Sequence, residues 1–180
     1  MSELSKHNKK SSNRLNRIYL KRNNKVKDYI HKTTSKVLNH LVSNNITTLV
    51  IGYNKEWKQD ITLGKKNNQN FVGIPFLMLV NQLMYKCELQ GIKVVIQEES
   101  YTSKCSFLDN EDIKKHETYK GRRLKRGLFR ASNGSLINAD TNGALNILKK
   151  YLLEQEAWNK NIFLNLVEVS SRPIASAINL

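Results

Sequence analysis

Three acidic residues stand out in a chain that is otherwise strongly basic: Glu98 and Glu99 in "QEESYTSK", and Asp140 in "INADTNGALNILKK". The surroundings carry 30 Lys and Arg against 15 Asp and Glu, a formal charge of +15. That excess goes beyond solubility and points to a polyanionic partner, nucleic acid first and an acidic membrane surface second. Carboxylates gathered in such a protein suit a divalent-metal phosphodiesterase. Their oxygens hold Mg²⁺ ions about 3.5–4 Å apart, which activate the attacking water and stabilise the leaving oxygen. Each residue also has a plainer reading. Asp140 opens an apolar-periodic helix, where Asp is a favoured N-cap that complements the helix dipole. Glu98 and Glu99 end a strand, where both can be solvated. Successive strand side chains face opposite ways, so only one of the two can point at a given site.

The elements that must position these groups follow from periodicity. From Asn13 to Ser43 the pattern is helical, with Ile30, Val37, Leu38, Leu41 and Val42 on one stripe and eight Lys or Arg from Arg14 to Lys36 on the rest. "ITTLVIGYN" reads as a buried strand at about 47–53, and "IKVVIQEE" as a second at about 92–98. Between them Phe76, Leu77, Val80, Leu83, Met84 and Cys87 keep helical spacing, with Pro75 at the start and Gly91 at the stop. Strand, helix and strand make a βαβ unit with parallel strands, and ligands of open α/β sheets sit outside the C-terminal strand edge, where Gly52 and Glu98 fall. Residues 101–127 read as irregular and basic, "LFRASNGSLINAD" as a hairpin turning at Asn133-Gly134, and Asp140 to about Glu154 as a helix. The tail beyond it fits no single element.

No stretch approaches the roughly 20 apolar residues of a membrane span, and the N-terminus lacks a signal-peptide core, so a cytoplasmic protein is expected. Cys87 and Cys105 are too few for a disulfide framework, and both are expected to be reduced. Candidate nucleic-acid contacts are Lys104, Arg122, Arg123, Lys125, Arg126, Arg130 and Asn142. The run from Arg122 to Arg126 is by default a solvated loop, and the net charge favours sequence-independent phosphate contact. Trp57, Tyr101 and Phe129 are aromatic enough to stack on bases, with packing the better reading of each.

"YTSKCSFLD" followed by "YKGRRLKRGLFRASNGSLINADTNGALNIL" resembles the C-terminal part of the TnpB (OrfB) family, insertion-sequence proteins that are RNA-guided DNA nucleases with a RuvC-like domain. "IGYNKEWKQDITLGKKNNQNFVGIPF" resembles one branch of it, so the similarity covers about 14–150. It implies a ribonuclease H-like fold in which three carboxylates bind two divalent ions, Mg²⁺ or Mn²⁺. The last family carboxylate lies in D-x-N-(A/G)-A-x-N-I, matched by Asp140, Asn142, Gly143, Ala144, Asn146 and Ile147, which makes Asp140 a metal ligand rather than a cap.

Three departures from that pattern shape the expectations. The second family carboxylate falls on Gly52. Parallel strands lie only about 4.8 Å apart, so Glu98 or Glu99 is the candidate replacement. Glu98 shares a face with Ile92, Val94 and Ile96 and is preferred; Glu99 shares a face with Lys93 and Gln97 and is expected to be solvated. Many relatives carry two CxxC pairs for zinc, and here only Cys105 occupies such a position. No zinc is expected, and the knuckle should pack on Phe107, Leu108, Leu128 and Phe129. Finally, the family's first catalytic Asp lies on a strand upstream of the long basic helix, where this chain begins.

The expected fold is α/β, an incomplete ribonuclease H-like (RuvC-like) domain at 13–154. It has a long N-terminal helix, a βαβ unit of parallel strands, a basic zinc-less knuckle insertion at about 101–137 and a following helix. A disordered basic tail (1–12) and a C-terminal tail (155–180) flank it. The expected function is a truncated TnpB-like segment of a divalent-metal-dependent, RNA-guided DNA endonuclease, inactive alone. Its expected partners are DNA, guide RNA and a separately encoded N-terminal segment, with no membrane. Asp140 with Glu98 would hold metal, with Asp140, Glu98 and Glu99 as the catalytic candidates. The alternative is a non-catalytic basic nucleic-acid-binding module or a decayed remnant; a ribosome-like RNA-binding protein fits the charge but not the motifs.

Overall fold

The computed structural model describes residues 11–54 and 75–171. Helix α1 (Asn13–Ser43) begins where expected, the Ser12 hydroxyl accepting from Leu15 N at 3.2 Å as its N-cap. Ile30, Thr34 and Leu41 are buried along its second half, whereas Ile18, Tyr19, Leu20 and Tyr29 in the first half are exposed. Strand β1 (Thr48–Tyr53) follows, then helix α2 (Phe76–Glu88), directly after Pro75. Gly91, at φ 69°, lies in the turn out of α2, and Ile92 N closes back on Cys87 O at 2.9 Å before strand β2 (Lys93–Glu98).

The described residues fall into two compact units, 11–49 with 75–94 and 50–54 with 95–171. In the first, α1 packs against α2. Leu41, Cys87 and Ile92 form its core, with Val37, Leu38, Ile46, Leu49 and Val94 against them. Lys86 ties the helices together, its ammonium donating to His31 O (2.9 Å), Thr34 Oγ1 (2.8 Å) and Ser35 Oγ (2.8 Å). Cys87 is fully buried, which pushes its thiol pKa up.

Strands β1 and β2 pair. Their N-terminal ends adjoin through Lys93 N to Thr47 O (2.9 Å), and their C-terminal ends adjoin at Gly52 and Glu99, so the pair is parallel, as the βαβ reading requires.

The second unit holds a turn-rich segment after β2 and a three-stranded antiparallel sheet of β3 (Arg122–Lys125), β4 (Leu128–Arg130) and β5 (Leu136–Asn138). The β4–β5 hairpin turns through Gly134 at φ 87°, as "SNGS" predicts. The expectation of irregular chain up to 127 is corrected: "RRLK" is an edge strand, too short and too uniformly exposed to show alternation. Helix α3 (Ala139–Glu154) follows, then α4 (Lys160–Ser171), whose Phe163 meets the buried Phe107 at 5.6 Å between ring centroids, with Trp158 completing the group. Phe129, Ile137 and Ala139 form the second core, with Leu108 and Leu145 against it. Among the described residues no helix is long and apolar enough to cross a membrane.

Candidate functional site

Helix α3 meets the candidate glutamates and the loop after β2 on separate stripes of its i, i+3, i+4 periodicity. Ile147, Lys150 and Glu154 make one of them and meet the tips of β1 and β2. Lys150 pairs with Glu98, whose carboxylate also accepts from Ser100 N at 2.7 Å, and Glu154 accepts from Gln97 Nε2 at 2.8 Å. Burial alone would raise the Glu98 pKa, but the hydrogen bonds and charge of Lys150, with those of Ser100, hold it below the usual value.

The expected facing of the two glutamates is reversed. Glu98 is exposed and Glu99 half-buried, with Gln97 on the Glu99 face 4% exposed and Ile96 on the other face 42% exposed. A Cβ on Gly52 would stand 2.8 Å from Glu99 Oε2, so Glu99 occupies the space beside Gly52, the position to which the resemblance assigned a carboxylate. Burial, and then the neighbouring Glu98 charge, push the Glu99 pKa up.

Asp140 lies in the first turn of α3, but it is not the cap. Asn138 is, its Oδ1 accepting from Asp140 N (2.8 Å) and Thr141 N (3.1 Å). The Asp140 side chain is 87% exposed, with Arg123 Nη2 at 3.9 Å from Oδ1. An Asn two residues upstream, equal to Asp in cap preference, was the signal that sequence reasoning passed over.

Asn142 and Asn146 form a second stripe and serve the loop, not a ligand. Asn142 Oδ1 accepts from Phe107 N (2.9 Å) and its Nδ2 donates to Cys105 O (2.9 Å); Asn146 Nδ2 donates to Thr102 O (2.9 Å) and Cys105 O (2.8 Å). Both are 0% exposed. The expected nucleic-acid contact at Asn142 is therefore corrected: its amide is spent inside the protein. Lys149 extends this stripe, 3% exposed, donating to Glu111 O at 2.9 Å and lying 5.4 Å from the Trp158 ring centroid. The signal for this stripe was polar residues at helical core spacing.

The basic candidates Lys104, Arg122, Arg123, Lys125 and Arg126 are exposed and Arg130 is half-buried. Arg122 stands directly opposite Arg130 in the β3–β4 register, and both line an open groove of about 430 Å³ with Lys120 and the turn Ala131–Gly134. Like charges directly opposite in an antiparallel pair repel, and neither arginine has a carboxylate at ion-pair distance among the described residues. Phe129 is 1% exposed and therefore core, Tyr101 is exposed, and Trp57 lies outside the described residues.

The divalent-metal expectation meets a mixed outcome. Glu99 is pinched beside Gly52, Glu98 is engaged by Lys150, and Asp140 is exposed at the start of α3. Among the described residues no group of three or more His, Cys, Asp or Glu comes together to hold a metal. A two-ion site does not fit these residues by themselves, and no chemical step through a metal follows from them.

With this geometry in place, residues 1–58 match the family model OrfB_IS605, a probable transposase, and residues 76–147 match the Cas12f1-like TNB domain. No curated protein matches. Among solved structures, a chain of the cryo-EM structure of the Cas12f1-sgRNA-target DNA complex is similar, with a TM-score of 0.58 and 19% identity. The similarity covers 75% of this chain and 36% of that one, and at this identity it speaks for the mixed α/β fold alone.

Proposed function

We propose that this chain, a member of the TnpB (OrfB) family of insertion-sequence proteins, is the RuvC-like C-terminal segment of an RNA-guided DNA nuclease and engages nucleic acid through its zinc-less knuckle, residues 101–137. The observation that carries the reading is Arg122 opposite Arg130 beside Lys120, a like-charge cluster that a phosphate backbone offsets. DNA and guide RNA are the partners, in the cytoplasm. Mg²⁺ or Mn²⁺ is the proposed cofactor, held by Asp140 with Glu98 or Glu99 and a further carboxylate, for which a separately encoded N-terminal segment is the proposed source.

A second reading has its own support. The engagement of Glu98 by Lys150 and the absence of a three-ligand group among the described residues favour a non-catalytic nucleic-acid-binding module.

Fluorescence anisotropy with labelled duplex and single strands tests the binding that both readings share. Affinity is expected to fall steeply with salt, with a log–log slope of about −0.9 per phosphate contact on duplex, and to change little with sequence. Affinity that is flat between low and physiological salt sinks the proposal.

A further inference from the structure

We infer that the proposed knuckle is closed without a metal, by a polar clasp built on the Glu111 carboxylate and the amides of Asn142 and Asn146. Zinc-bearing relatives cross-link this region through thiolates, and the residues here do not fit that ion. Cys105 is the knuckle's single cysteine. Its Sγ lies against the carbonyls of Asp112 (3.4 Å) and Lys114 (3.7 Å), burial pushes its pKa up, and one sulfur falls short of the four ligands a structural zinc takes.

A structural zinc fixes separated loop segments to one point, and Glu111 does the same with hydrogen bonds. The residue is 2% exposed; Oε2 accepts from Ser106 N at 2.7 Å and Oε1 from Lys120 N at 2.9 Å, so one carboxylate joins the two ends of the loop. Both bonds hold a backbone N–H that would otherwise go unpaired beside the buried side chain. Asn142 clips Phe107 N and Cys105 O, Asn146 takes Cys105 O and Thr102 O, and Lys149 takes Glu111 O. Every partner on the loop side, Lys120 included, lies in the one turn-rich segment before the sheet, and all the side chains on the helix side come from one stripe of α3. The cross-link therefore fastens loop to helix and sets Lys120 at the edge of the groove shared with Arg122 and Arg130.

The inference borrows the knuckle from the reading above, but its test does not depend on nucleic-acid binding. Amide hydrogen exchange is measured by NMR on the full chain in EDTA, with added zinc, and in a Glu111→Gln variant. Exchange at Ser106, Phe107 and Lys120 is expected to agree within about twofold with and without zinc, because local protection follows the bonds that are present. In the variant the side-chain amide keeps one acceptor oxygen and turns an NH₂ toward the other N–H. Exchange at Ser106 or Lys120 is then expected to speed up about tenfold or more while α2 is unchanged. Protection lost in EDTA and restored by zinc overturns the inference, as does a Glu111→Gln variant unchanged at both amides. Should that variant not fold, the EDTA and zinc comparison on the unaltered chain decides alone.

Discussion

Gly52 and Glu99 share one space: a Cβ on Gly52 would stand 2.8 Å from Glu99 Oε2 and 2.4 Å from Ile147 Cδ1. A Cβ at this position therefore forces Ile147 or Glu99 to shift. Gly52→Ala is expected to destabilise the protein by about 1–3 kcal/mol, the ordinary cost of overpacking. Both contacted atoms are ends of flexible side chains, which keeps the loss within that range. Ile147→Val removes Cδ1 and should recover part of it; urea denaturation of the two single variants and the double variant measures the coupling. Additive effects would show that Ile147 does not constrain Gly52.

The two glutamates should respond to pH in opposite senses. The folded-state pKa of Glu98 is lowered, so its ion pair contributes stability above the unfolded carboxylate pKa, and that contribution is lost as pH falls through the folded value. Its side chain is 51% exposed, so solvent screening limits the contribution to about 0.5 kcal/mol. The folded-state pKa of Glu99 is raised, so its ionisation costs stability as pH rises from the unfolded value through the folded one. In chelator at neutral pH, Glu98→Gln is expected to lower stability slightly. Glu99→Gln should raise it by about 0.5–1 kcal/mol, the gain that accompanies removing a strained site carboxylate. Both differences should vanish well below pH 4, where carboxylates are protonated in either state; a Glu99→Gln variant less stable than the parent at pH 7 counts against this account.

Several of these features were legible in the sequence and several were not, for physical reasons. Helix α1 was read to its boundaries, because the stripe from Ile30 to Val42 fixes its second half, and a Ser cap on one side and Asn44–Asn45 on the other mark its ends. The parallel pairing of β1 and β2 followed from strand, helix and strand in succession. The facing of Glu98 and Glu99 did not follow, because burial at the end of β2 is set by α3 through Lys150 and Glu154 rather than by the apolar alternation of the strand. Asn142 misled for a similar reason: a polar residue in a motif looks like a ligand contact, whereas here it satisfies the backbone of a loop that periodicity cannot show. Helix α4 stayed open because its aromatic partner, Phe107, is distant in sequence.

Asn142 should prove structural by what its loss changes. Asn142→Ala strands Phe107 N in the interior, at a cost of about 1–3 kcal/mol for an unsatisfied buried donor. Thermal unfolding should report that loss. Nucleic-acid affinity measured well below the transition should keep its salt slope, because no phosphate contact is removed. A slope reduced by one contact would return Asn142 to the binding surface.

Arg122→Ala and Arg130→Ala are expected to behave in the reverse way. Each should weaken binding about equally across sequences and reduce the salt slope by about one contact. Neither should cost stability, since each removes one partner of a cross-strand repulsion. Loss of folding in either variant would show that the pair is held by something other than the partner it awaits.

Cleavage separates the catalytic reading from the binding one. This chain alone, with Mg²⁺ or Mn²⁺, is expected not to cut DNA, because among the described residues no three candidate ligands come together. Supplied with an N-terminal segment bearing a further carboxylate and with a guide RNA, it should cut, provided Asp140 and one of the two glutamates complete a site that holds ions for in-line attack. The variants then rank the candidates. Asp140→Ala should abolish cleavage, and the half-buried position of Glu99 beside Gly52 predicts that Glu99→Ala does so too. Glu98→Ala should retain activity, since its carboxylate is engaged by Lys150 and Ser100. If Glu98→Ala is inactive and Glu99→Ala active, Lys150 must release Glu98 on assembly. If the reconstituted protein binds target and guide yet never cuts, the module is a binding one and Asp140 is an exposed first-turn carboxylate that complements the dipole of α3.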